Sequence, residues 1–454
     1  MLYFREEELK RLKAFSKANQ KKALAVYGRR RAGKTALVLH FMEQQQGRDL
    51  IYFQCASLDY ETCLADFTAV LKTYLPEDPI LDSLRSFKDA ITYFQQVSRK
   101  HHLIVIDEFP FLCKKNENAV FEFQWIIDHG LKHMKLILLG SNLSFMKRQI
   151  NDKEAPLYGR FDEAMEILPF TFEEVHRLFP VFEDAVNVYA QTGGIAQYVM
   201  FFRNYKTVDD AIDDLFFHKD GRMFQEAGSV LMQELRDITT YVSILRAMAG
   251  GEKETTKIAQ KAGLDVRGVF SYISKLTELG FVAPVENVLS DRKRDKRYRI
   301  ADPLFYFNYC FIEPNVSMIT AIGKQSRKVI LDDRYNEYLG LVYEDIIRGN
   351  CFLYALRGVL PFMPQTVGKW WGNVMHEGTW AESEVDLIAY DAKHIVIGEC
   401  KFRNKMSGRK ELEALKEKAA CIPVKGREMY YLLASNSGFT KDLKNEDVIL
   451  IHRV

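Results

Sequence analysis

The chain has 454 residues, more than one hydrophobic core usually organises, so its length predicts about three domains. Hydrophobic residues make up 47% and charged residues 27%, without a low-complexity tract, and this composition excludes a disordered chain. The 63 Lys and Arg residues nearly balance 61 Asp and Glu residues, so the net charge of +2 does not single out a nucleic-acid partner.

No run approaches the roughly 20 apolar residues of a membrane span, and the start, MLYFREEELKRLKAF, is charged and helix-like. We therefore expect a cytoplasmic protein with no membrane partner. The seven cysteines are scattered singly, without the CxxC spacing of zinc or redox sites. Buried, reduced thiols fit this pattern better than disulfides or metal ligands.

A phosphate-binding loop is predicted near the N-terminus, where an apolar β-type segment at residues 24–27 leads into a helix of good formers. The connecting loop is a complete GxxxxGK[ST] pattern, formed by Gly28, Arg29, Arg30, Arg31, Ala32, Gly33, Lys34 and Thr35. Its glycines let successive backbone N–H groups close around phosphates at the positive end of the helix. Lys34 is expected to reach the β- and γ-phosphates of ATP, and Thr35 to bind Mg²⁺.

A second element of the predicted nucleotide site is LIVIDEF, residues 103–109, which has the pattern of a buried parallel strand. Its carboxyl end presents two carboxylates at the sheet edge where ligands bind. We expect Asp107 to hold Mg²⁺ through water and Glu108 to polarise the attacking water.

Two further positions belong to the predicted nucleotide site. KLILLGSN, residues 135–142, is a third apolar strand, and Ser141 or Asn142 is placed either to sense the γ-phosphate or to cap the next helix. Arg160, in PLYGRFD, is placed either as an arginine finger for a neighbour's site or as an ordinary surface arginine.

These motifs, with FREEELKRL, the PLYGR stretch and TGGIAQYV, resemble the archaeal-type ATPase family of the AAA+/STAND class. The resemblance implies an α/β fold: a P-loop NTPase core with a parallel sheet over residues 1–165, then a helical lid over 166–235. It also implies ATP hydrolysis and is compatible with a homo-oligomer. The sequence departs from the family pattern in Phe4 before the Arg-Glu pair, in Ala196 where GGIP has proline, and in the three P-loop arginines.

Residues 236–312 contain the capping residues and glycine expected of a helix-turn-helix, followed by a basic turn, and this pattern predicts a winged-helix domain. Thr255 and Thr256 are expected to cap one helix that ends at Gly263, and Asp265 to cap the second. The predicted wing contains six cations, Arg292, Lys293, Arg294, Lys296, Arg297 and Arg299. Basic wings commonly contact DNA phosphates, whereas winged helices in ATPases often pack against protein, and both interpretations stay open.

The last quarter contains SEVDLIAYDAKHIVIGECKF, which has the pattern of a β-hairpin. If residues 391–394 form its loop, Asp386 lies opposite Glu399, and Lys401 follows on the same face. Like charges directly opposite each other destabilise a sheet, whereas a divalent cation between them reverses the effect. We therefore expect Asp386 and Glu399 to bind Mg²⁺ or Mn²⁺, and Lys401 to stabilise charge on a phosphate.

An acid followed by ExK on adjacent strands, after a helix carrying Glu344, resembles the PD-(D/E)XK nuclease-like superfamily. The resemblance implies an α/β restriction-endonuclease-like domain over residues 313–454, with Glu344 as a further metal ligand. A hairpin held only by salt bridges is the structural alternative. Trp370, Trp371 and Trp380 are placed either to stack on nucleic acid or to fill the core.

Taken together, these patterns predict a multidomain ATPase that binds DNA and couples its nucleotide state to a metal-dependent nuclease-like domain. The alternative is a nucleotide-controlled switch or scaffold whose C-terminal domain binds a partner without cleaving nucleic acid.

Overall fold

The computed structural model describes residues 3–45, 49–56, 59–76, 78–98, 101–290, 296–376 and 379–453. The chain divides into two compact units, the first made of Met1–Phe170 with Ile195–Tyr198 and the second of Thr171–Gly194 with Val199–Val454. The predicted end of the ATPase core at residue 165 lies near the end of the first stretch. The predicted lid, winged-helix and C-terminal domains share the second unit, apart from residues 166–170 and 195–198 of the lid.

The first unit is an α/β sandwich whose elements alternate along the chain. Its strands are β1 (Ala23–Tyr27), β2 (Asp49–Gln54), β3 (His102–Asp107), β4 (Lys135–Gly140) and β5 (Glu163–Glu166). Its helices are α1 (Glu6–Lys17), α2 (Lys34–Glu43), α3 (Tyr60–Lys72), α4 (Phe87–Ser98), α5 (Phe109–Lys115), α6 (Ala119–Trp125) and α7 (Leu143–Asn151). Short 3-10 or π turns occupy Pro79–Ser83 and Ile126–Gly130.

The five strands form a parallel sheet in the order β2-β3-β4-β1-β5. Strands β1 and β3 are buried along their whole length, because helices cover both faces and most residues of each strand are apolar. One apolar cluster contains Leu24 and Val26 of β1 with α1 and α2, and the other contains Ala23 and Ala25 with α3, α4 and α5. The carboxyl ends of β1, β3 and β4 therefore meet at one edge of the sheet.

The second unit begins with helices and ends with a mixed sheet. Its helices are α8 (Phe172–Leu178), α9 (Phe182–Thr192), α10 (Ala196–Phe202), α11 (Val208–Phe216), α12 (Glu226–Glu234), α13 (Thr239–Ala249), α14 (Thr255–Ala262), α15 (Val266–Glu278), α16 (Pro303–Phe307), α17 (Val316–Ile322), α18 (Arg327–Ile330), α19 (Asp333–Gly349), α20 (Cys351–Leu356) and α21 (Arg409–Ala419). Its strands are β6 (Val282–Glu286), β7 (Lys296–Ile300), β8 (Thr366–His376), β9 (Thr379–Tyr390), β10 (His394–Lys401), β11 (Glu428–Ser435) and β12 (Ile449–His452). Single 3-10 or π turns lie at Asn308–Ile312, Glu313–Asn315, Gly323–Ser326 and Lys441–Leu443. The first turn of α10 belongs to the first unit.

Residues 239–300, here called the helix–hairpin segment, contain α13, α14, α15 and the antiparallel pair β6–β7. Two of the predicted helix ends are present. Gly263 ends α14 at a φ of 70°, and the Asp265 carboxylate accepts from the Arg267 N–H at the start of α15. The predicted caps Thr255 and Thr256 lie instead within the first turn of α14, and Glu254 holds the cap position without a side-chain bond.

The C-terminal sheet has the order β12-β11-β10-β9-β8. The pairs β8–β9 and β9–β10 are antiparallel, whereas β10–β11 and β11–β12 are parallel. Helix α19 precedes the sheet, and α21 connects the parallel strands β10 and β11. Helix α21 buries Leu412, Leu415 and Ala419 in the same apolar cluster as Ile395 and Ile397 of β10.

None of the helices in the described ranges combines the length and apolarity that a membrane crossing requires.

Candidate functional sites

The predicted phosphate loop joins the carboxyl end of β1 to the start of α2. Gly28 has a φ of 155°, and a Cβ at this position would lie 2.4 Å from the carbonyl oxygen of Ile167. Gly33 has a φ of 97° and directly precedes α2, and Arg31 has a φ of 65°. The loop therefore takes backbone conformations that only glycine adopts easily, and it stores strain at Arg31.

Two contacts from distant parts of the first unit hold the loop. The Arg5 guanidinium donates to the Ala32 oxygen at 3.2 Å and to the Leu168 oxygen at 2.7 Å, and it lies 5.0 Å from the Phe170 ring centroid. The backbone N–H of Gln197 donates to the Arg31 oxygen at 3.1 Å. These contacts explain why FREEELKRL and TGGIAQYV accompany the phosphate loop.

The side chains of the loop point in several directions. Lys34 is buried, and its Nζ donates to the carbonyl oxygens of Gly28 and Arg29, each at 2.9 Å. The Arg30 guanidinium lies 5.9 Å from the Phe111 ring centroid, and the Arg31 guanidinium 5.5 Å from that of Tyr198.

Asp107 is fully buried at the end of β3 and accepts three hydrogen bonds. Its Oδ2 accepts from Thr35 Oγ1 at 2.6 Å and from Tyr52 Oη at 2.8 Å, and its Oδ1 accepts from the Glu108 N–H at 2.8 Å. The structure thus brings together Thr35 and Asp107, which the sequence predicted as magnesium ligands. Tyr52 was not predicted, because an apolar-looking strand residue carries no sequence signal for this contact.

Glu108 follows Asp107 in a left-handed conformation, with a φ of 54°. Its Oε2 accepts from Ser141 Oγ at 2.7 Å, so the carboxylate is held at the carboxyl end of the neighbouring strand β4. A non-glycine residue in this conformation costs free energy and is common at functional sites.

The other two predicted nucleotide contacts are engaged within the protein. The Asn142 side chain accepts from the Phe145 N–H at 2.9 Å and caps α7, which is the structural role weighed for it. The Arg160 Nε lies 3.0 and 2.9 Å from the two carboxylate oxygens of Asp128. The sensor and arginine-finger roles of Asn142 and Arg160 stay predictions.

The first-unit residues fit a magnesium–nucleotide complex. Mg²⁺ typically uses one or two protein oxygens together with phosphate oxygens and water. Thr35 supplies a hydroxyl oxygen and Asp107 a buried carboxylate beside it, at the positive N-terminus of α2. When bound, the ion neutralises phosphate charge.

The predicted C-terminal hairpin has the expected register. Strands β9 and β10 pair from Tyr390↔Ile395 to Leu387↔Gly398, so Asp386 and Glu399 are the next residues on each strand. The Cys400 N–H donates to Asp386 Oδ2 at 2.9 Å, which joins the two strands through the carboxylate just beyond the paired region.

Two lysines neutralise Glu399, which is buried. Its Oε2 accepts from Lys401 Nζ at 2.7 Å, and its Oε1 accepts from Lys418 Nζ of α21 at 2.6 Å. Burial would raise the pKa of Glu399, but Lys401 and Lys418 hold it below its usual value. The pairing of Lys418 with Glu399 was not predicted from the sequence, because α21 has no motif that shows which strand it faces.

Asp386 has the opposite environment. Burial and the nearby Glu344 and Glu399 carboxylates raise the pKa of Asp386 to about 7, although the Cys400 N–H and Lys401 oppose the shift. The cluster therefore lacks enough positive charge to keep both Asp386 and Glu399 fully ionised at neutral pH.

Glu344 is paired with cations of its own. Its Oε2 lies 2.5 Å from Lys369 Nζ and 3.5 Å from Arg348 Nη1. Across the described ranges, no three His, Cys, Asp or Glu side chains form a group that could hold a metal ion. The structure therefore does not bring Glu344 into a metal-holding group with Asp386 and Glu399, because Lys369 and Arg348 bind its carboxylate. Two carboxylates suit a hard divalent ion in donor chemistry, but here lysines occupy both oxygens of Glu399.

The helix–hairpin segment packs on the C-terminal sheet through the predicted wing. Arg297 binds Glu382 and, at 2.8 Å, Glu384, and its guanidinium lies 4.6 Å from the Trp371 ring centroid. Arg299 binds Asp345 of α19. These two arginines therefore hold β7 to β9 and α19 within the second unit. Lys296 pairs with Glu286, and Arg292, Lys293 and Arg294 lie outside the described residues.

Backbone contacts complete this packing. The Val288 N–H donates to the Lys369 oxygen at 3.1 Å, and Asn287 Nδ2 donates to the Trp371 oxygen at 2.6 Å. Trp370 belongs to the C-terminal core, and Trp371 is also buried, which excludes base stacking on these two rings as they stand. The side chain of Trp380 lies outside the described residues.

Comparisons with known proteins agree with the first-unit geometry. Residues 2–202 match a family described as an ATPase domain predominantly from Archaea, and residues 308–416 match archaeal and bacterial proteins of unknown function. The uncharacterized protein MJECL04 of Methanocaldococcus jannaschii is 30% identical over 462 residues, covering 99% of this chain and 98% of that protein. The Walker-type ATPase PABY2304 of Pyrococcus abyssi superimposes with a TM-score of 0.50 at 19% identity, covering 68% of this chain and 96% of that one, and this shows the fold alone. The chain therefore belongs to the same family as the Methanocaldococcus jannaschii protein, and its N-terminal part is a P-loop ATPase domain of the predominantly archaeal type.

Proposed function

We propose that this protein is an ATPase acting on DNA, in which the nucleotide state is passed through a winged-helix domain to a C-terminal metal-dependent phosphodiesterase site. The observation that carries the proposal is the convergence of Asp386, Glu399 and Lys401 at the point where β9 and β10 separate. This is the arrangement expected for the PD-(D/E)XK nuclease-like superfamily.

The roles of the C-terminal residues follow from their contacts. Asp386 and Glu399 would hold Mg²⁺ or Mn²⁺, which when bound polarises a phosphate oxygen and activates water. Binding requires that the ion displace a lysine from Glu399, and Lys401 would then be available to the phosphate. Burial would lower the pKa of Lys401, but Glu399 and Asp386 raise it, so the ammonium stays charged at neutral pH.

Coupling to the nucleotide is supported by the helix–hairpin segment. Arg297 holds Glu382 and Glu384, which lie four and two residues before Asp386 on β9. A movement of β7 would therefore act on the strand that carries Asp386. The exposed residues of α15, including Arg267, Ser271 and Ser274, are the surface proposed for DNA phosphates.

Cleavage of linear and supercoiled DNA by the full-length protein with Mg²⁺ or Mn²⁺ tests this proposal. We expect Asp386→Ala and Lys401→Ala to remove cleavage while ATP hydrolysis stays at the wild-type rate. Lys34→Ala should abolish ATP hydrolysis and alter cleavage through the coupling. Cleavage that persists unchanged in both C-terminal variants would exclude this site.

The second candidate function is a nucleotide-controlled switch whose C-terminal domain binds a partner. The observation favouring it is that Lys401 and Lys418 occupy both oxygens of Glu399 and that no three-ligand metal group is present in the described residues. Calorimetric titration of Mn²⁺ into the Thr35→Ala protein, with and without Asp386→Asn and Glu399→Gln, separates the two functions. Equal weak binding by both proteins would favour the switch.

A further inference from the structure

Tyr52 donates to the buried carboxylate of the ATPase site, although it belongs to no nucleotide-binding motif. It lies on β2, opposite Val105 of β3, and its hydroxyl reaches past that residue to Asp107 Oδ2 at 2.8 Å. Its ring is half-buried and packs against the apolar cluster beside α1 and α2. Phenylalanine would make the same apolar contacts, so the hydroxyl has a separate role to explain.

The hydrogen bonds on Asp107 restrict how it can accept from water. A carboxylate offers about four acceptor positions, two on each oxygen. Thr35 and Tyr52 occupy both positions on Oδ2, and the Glu108 N–H occupies one on Oδ1. Among the residues that the structure describes, these bonds leave one position on Oδ1 for a water molecule.

We propose that Tyr52 is a positioning residue of the ATPase, whose hydroxyl orients Asp107 so that the water joining this carboxylate to Mg²⁺ binds at a single place on Oδ1. The proposal rests on the nucleotide site alone and is independent of any activity of the C-terminal domain.

The Tyr52 hydroxyl fills a position on Oδ2 that a water molecule could otherwise use. Without this hydroxyl, Oδ2 would have a free acceptor position, and the water could choose between two oxygens.

Tyr52→Phe in the full-length protein tests the proposal through its metal dependence. Binding of a fluorescent ATP analogue is titrated with Mg²⁺ and repeated in EDTA, and ATP hydrolysis is measured against Mg²⁺ concentration. We expect the Mg²⁺ concentration for half-saturation to rise about tenfold, because loss of an outer partner commonly weakens a metal site by this much. Nucleotide affinity in EDTA should remain at the wild-type value.

Tyr74→Phe is the matched control. Its hydroxyl donates to the Leu50 oxygen at 2.6 Å, so the variant removes the same group from a bond to the same strand without touching Asp107. We expect wild-type Mg²⁺ dependence from it. An unchanged Mg²⁺ midpoint in Tyr52→Phe would overturn the proposal, and so would an equal loss of nucleotide affinity with and without metal. Absence of ATP hydrolysis in the wild type would instead refute the ATPase function, and the binding titration would still test Tyr52.

Discussion

Asp386 and Glu399 are neighbouring carboxylates whose pKa values shift in opposite directions. Both are buried, but two lysine ammonium groups bind Glu399, whereas Asp386 accepts a backbone N–H and faces two other carboxylates. Burial alone raises the pKa of a carboxyl group, so the difference arises from the placement of the cations. At the residue scale, the distribution of charge rather than the acid motif decides which group is ionised.

Asp386→Asn should stabilise the metal-free protein, with an effect that depends on pH. The pKa of Asp386 is raised to about 7, so the folded state retains a proton that the unfolded state loses from about pH 4 upward. The contribution of this group to stability is present at low pH and is lost as the pH rises to about 7. Relative to wild type, the free energy of unfolding of the variant should be higher by on the order of 2 kcal/mol at pH 8 and should differ little at pH 4. Urea unfolding in EDTA at several pH values measures this difference.

Asp391→Asn is the control of opposite sign. Burial opposes the shift, but hydrogen bonds from His394 and from the Lys393 and His394 N–H groups lower the pKa of Asp391 to about 2. Its stabilising contribution is present above about pH 4 and is lost as the pH falls toward 2. Removing this carboxylate should therefore never stabilise the protein at pH 8. A gain that is the same at every pH for Asp386→Asn would contradict the assigned pKa.

Gly28→Ala should damage the phosphate loop. The added Cβ would meet the Ile167 oxygen at 2.4 Å, and the backbone φ of 155° is strained for alanine. We expect a loss of about 2–3 kcal/mol in the stability of the first unit, together with weaker ATP binding. Gly268→Ala is the control, because a Cβ added at this position of α15 would meet nothing within 4 Å. Alanine favours the helix more than glycine does, so this variant should be more stable by up to roughly 1 kcal/mol. Thermal unfolding of both variants with and without ATP checks this, and equal behaviour would be evidence against the steric argument.

The β6–β7 hairpin shows how tertiary packing changes the role of an element. Its basic strand is suited to phosphates, yet Arg297 and Arg299 face acids of β9 and α19. Burial would raise the pKa of Asp345, but Arg299 and Arg348 hold it below its usual value. Arg297 binds two carboxylates and Arg299 binds one, so both guanidinium groups are engaged in packing in the state described.

Arg297→Ala should loosen the hairpin from the C-terminal sheet. It removes a mostly buried guanidinium, leaves Glu382 and Glu384 without this partner, and exposes one face of Trp371. We expect the free energy of unfolding to fall by about 2 kcal/mol and the tryptophan emission to shift to the red. Lys296→Ala, which breaks an exposed pair with Glu286, should cost under about 1 kcal/mol. Unchanged emission and equal stability of the two variants would show that this contact is unimportant.

At the scale of the whole molecule, the chain passes between the two units more than once. Residues 195–198 belong to the first unit, although the residues on both sides belong to the second. Within the first unit, Gln197 contacts the phosphate loop through the Arg31 oxygen. The proposed coupling would use this short segment, because it joins a contact of the phosphate loop to the helices that follow in the chain.

Hydrogen exchange with and without Mg²⁺ and ATP tests this route in the full-length protein. We expect slower exchange in the phosphate loop and altered exchange in β7 and in residues 382–387 of β9, because the nucleotide state is proposed to reach the C-terminal sheet. In Arg297→Ala, the slower exchange in the phosphate loop should remain, whereas the altered exchange in β7 and in residues 382–387 should disappear. Changes confined to the first unit in the wild type would argue against coupling.

The local sequence determined much of this protein. The phosphate loop, the strand ending in Asp107 and Glu108, the α14–α15 punctuation and the β9–β10 register all follow from short patterns, because glycine, capping residues and strand alternation act over a few residues. Tertiary structure alone decided that Tyr52 binds Asp107, that Lys418 neutralises Glu399, that Glu344 is held by Lys369 and Arg348, and that the wing arginines face acids. Except for Arg348, which lies one helical turn after Glu344, these partners lie on different elements. Their energies depend on burial and distance, which a one-dimensional pattern does not contain.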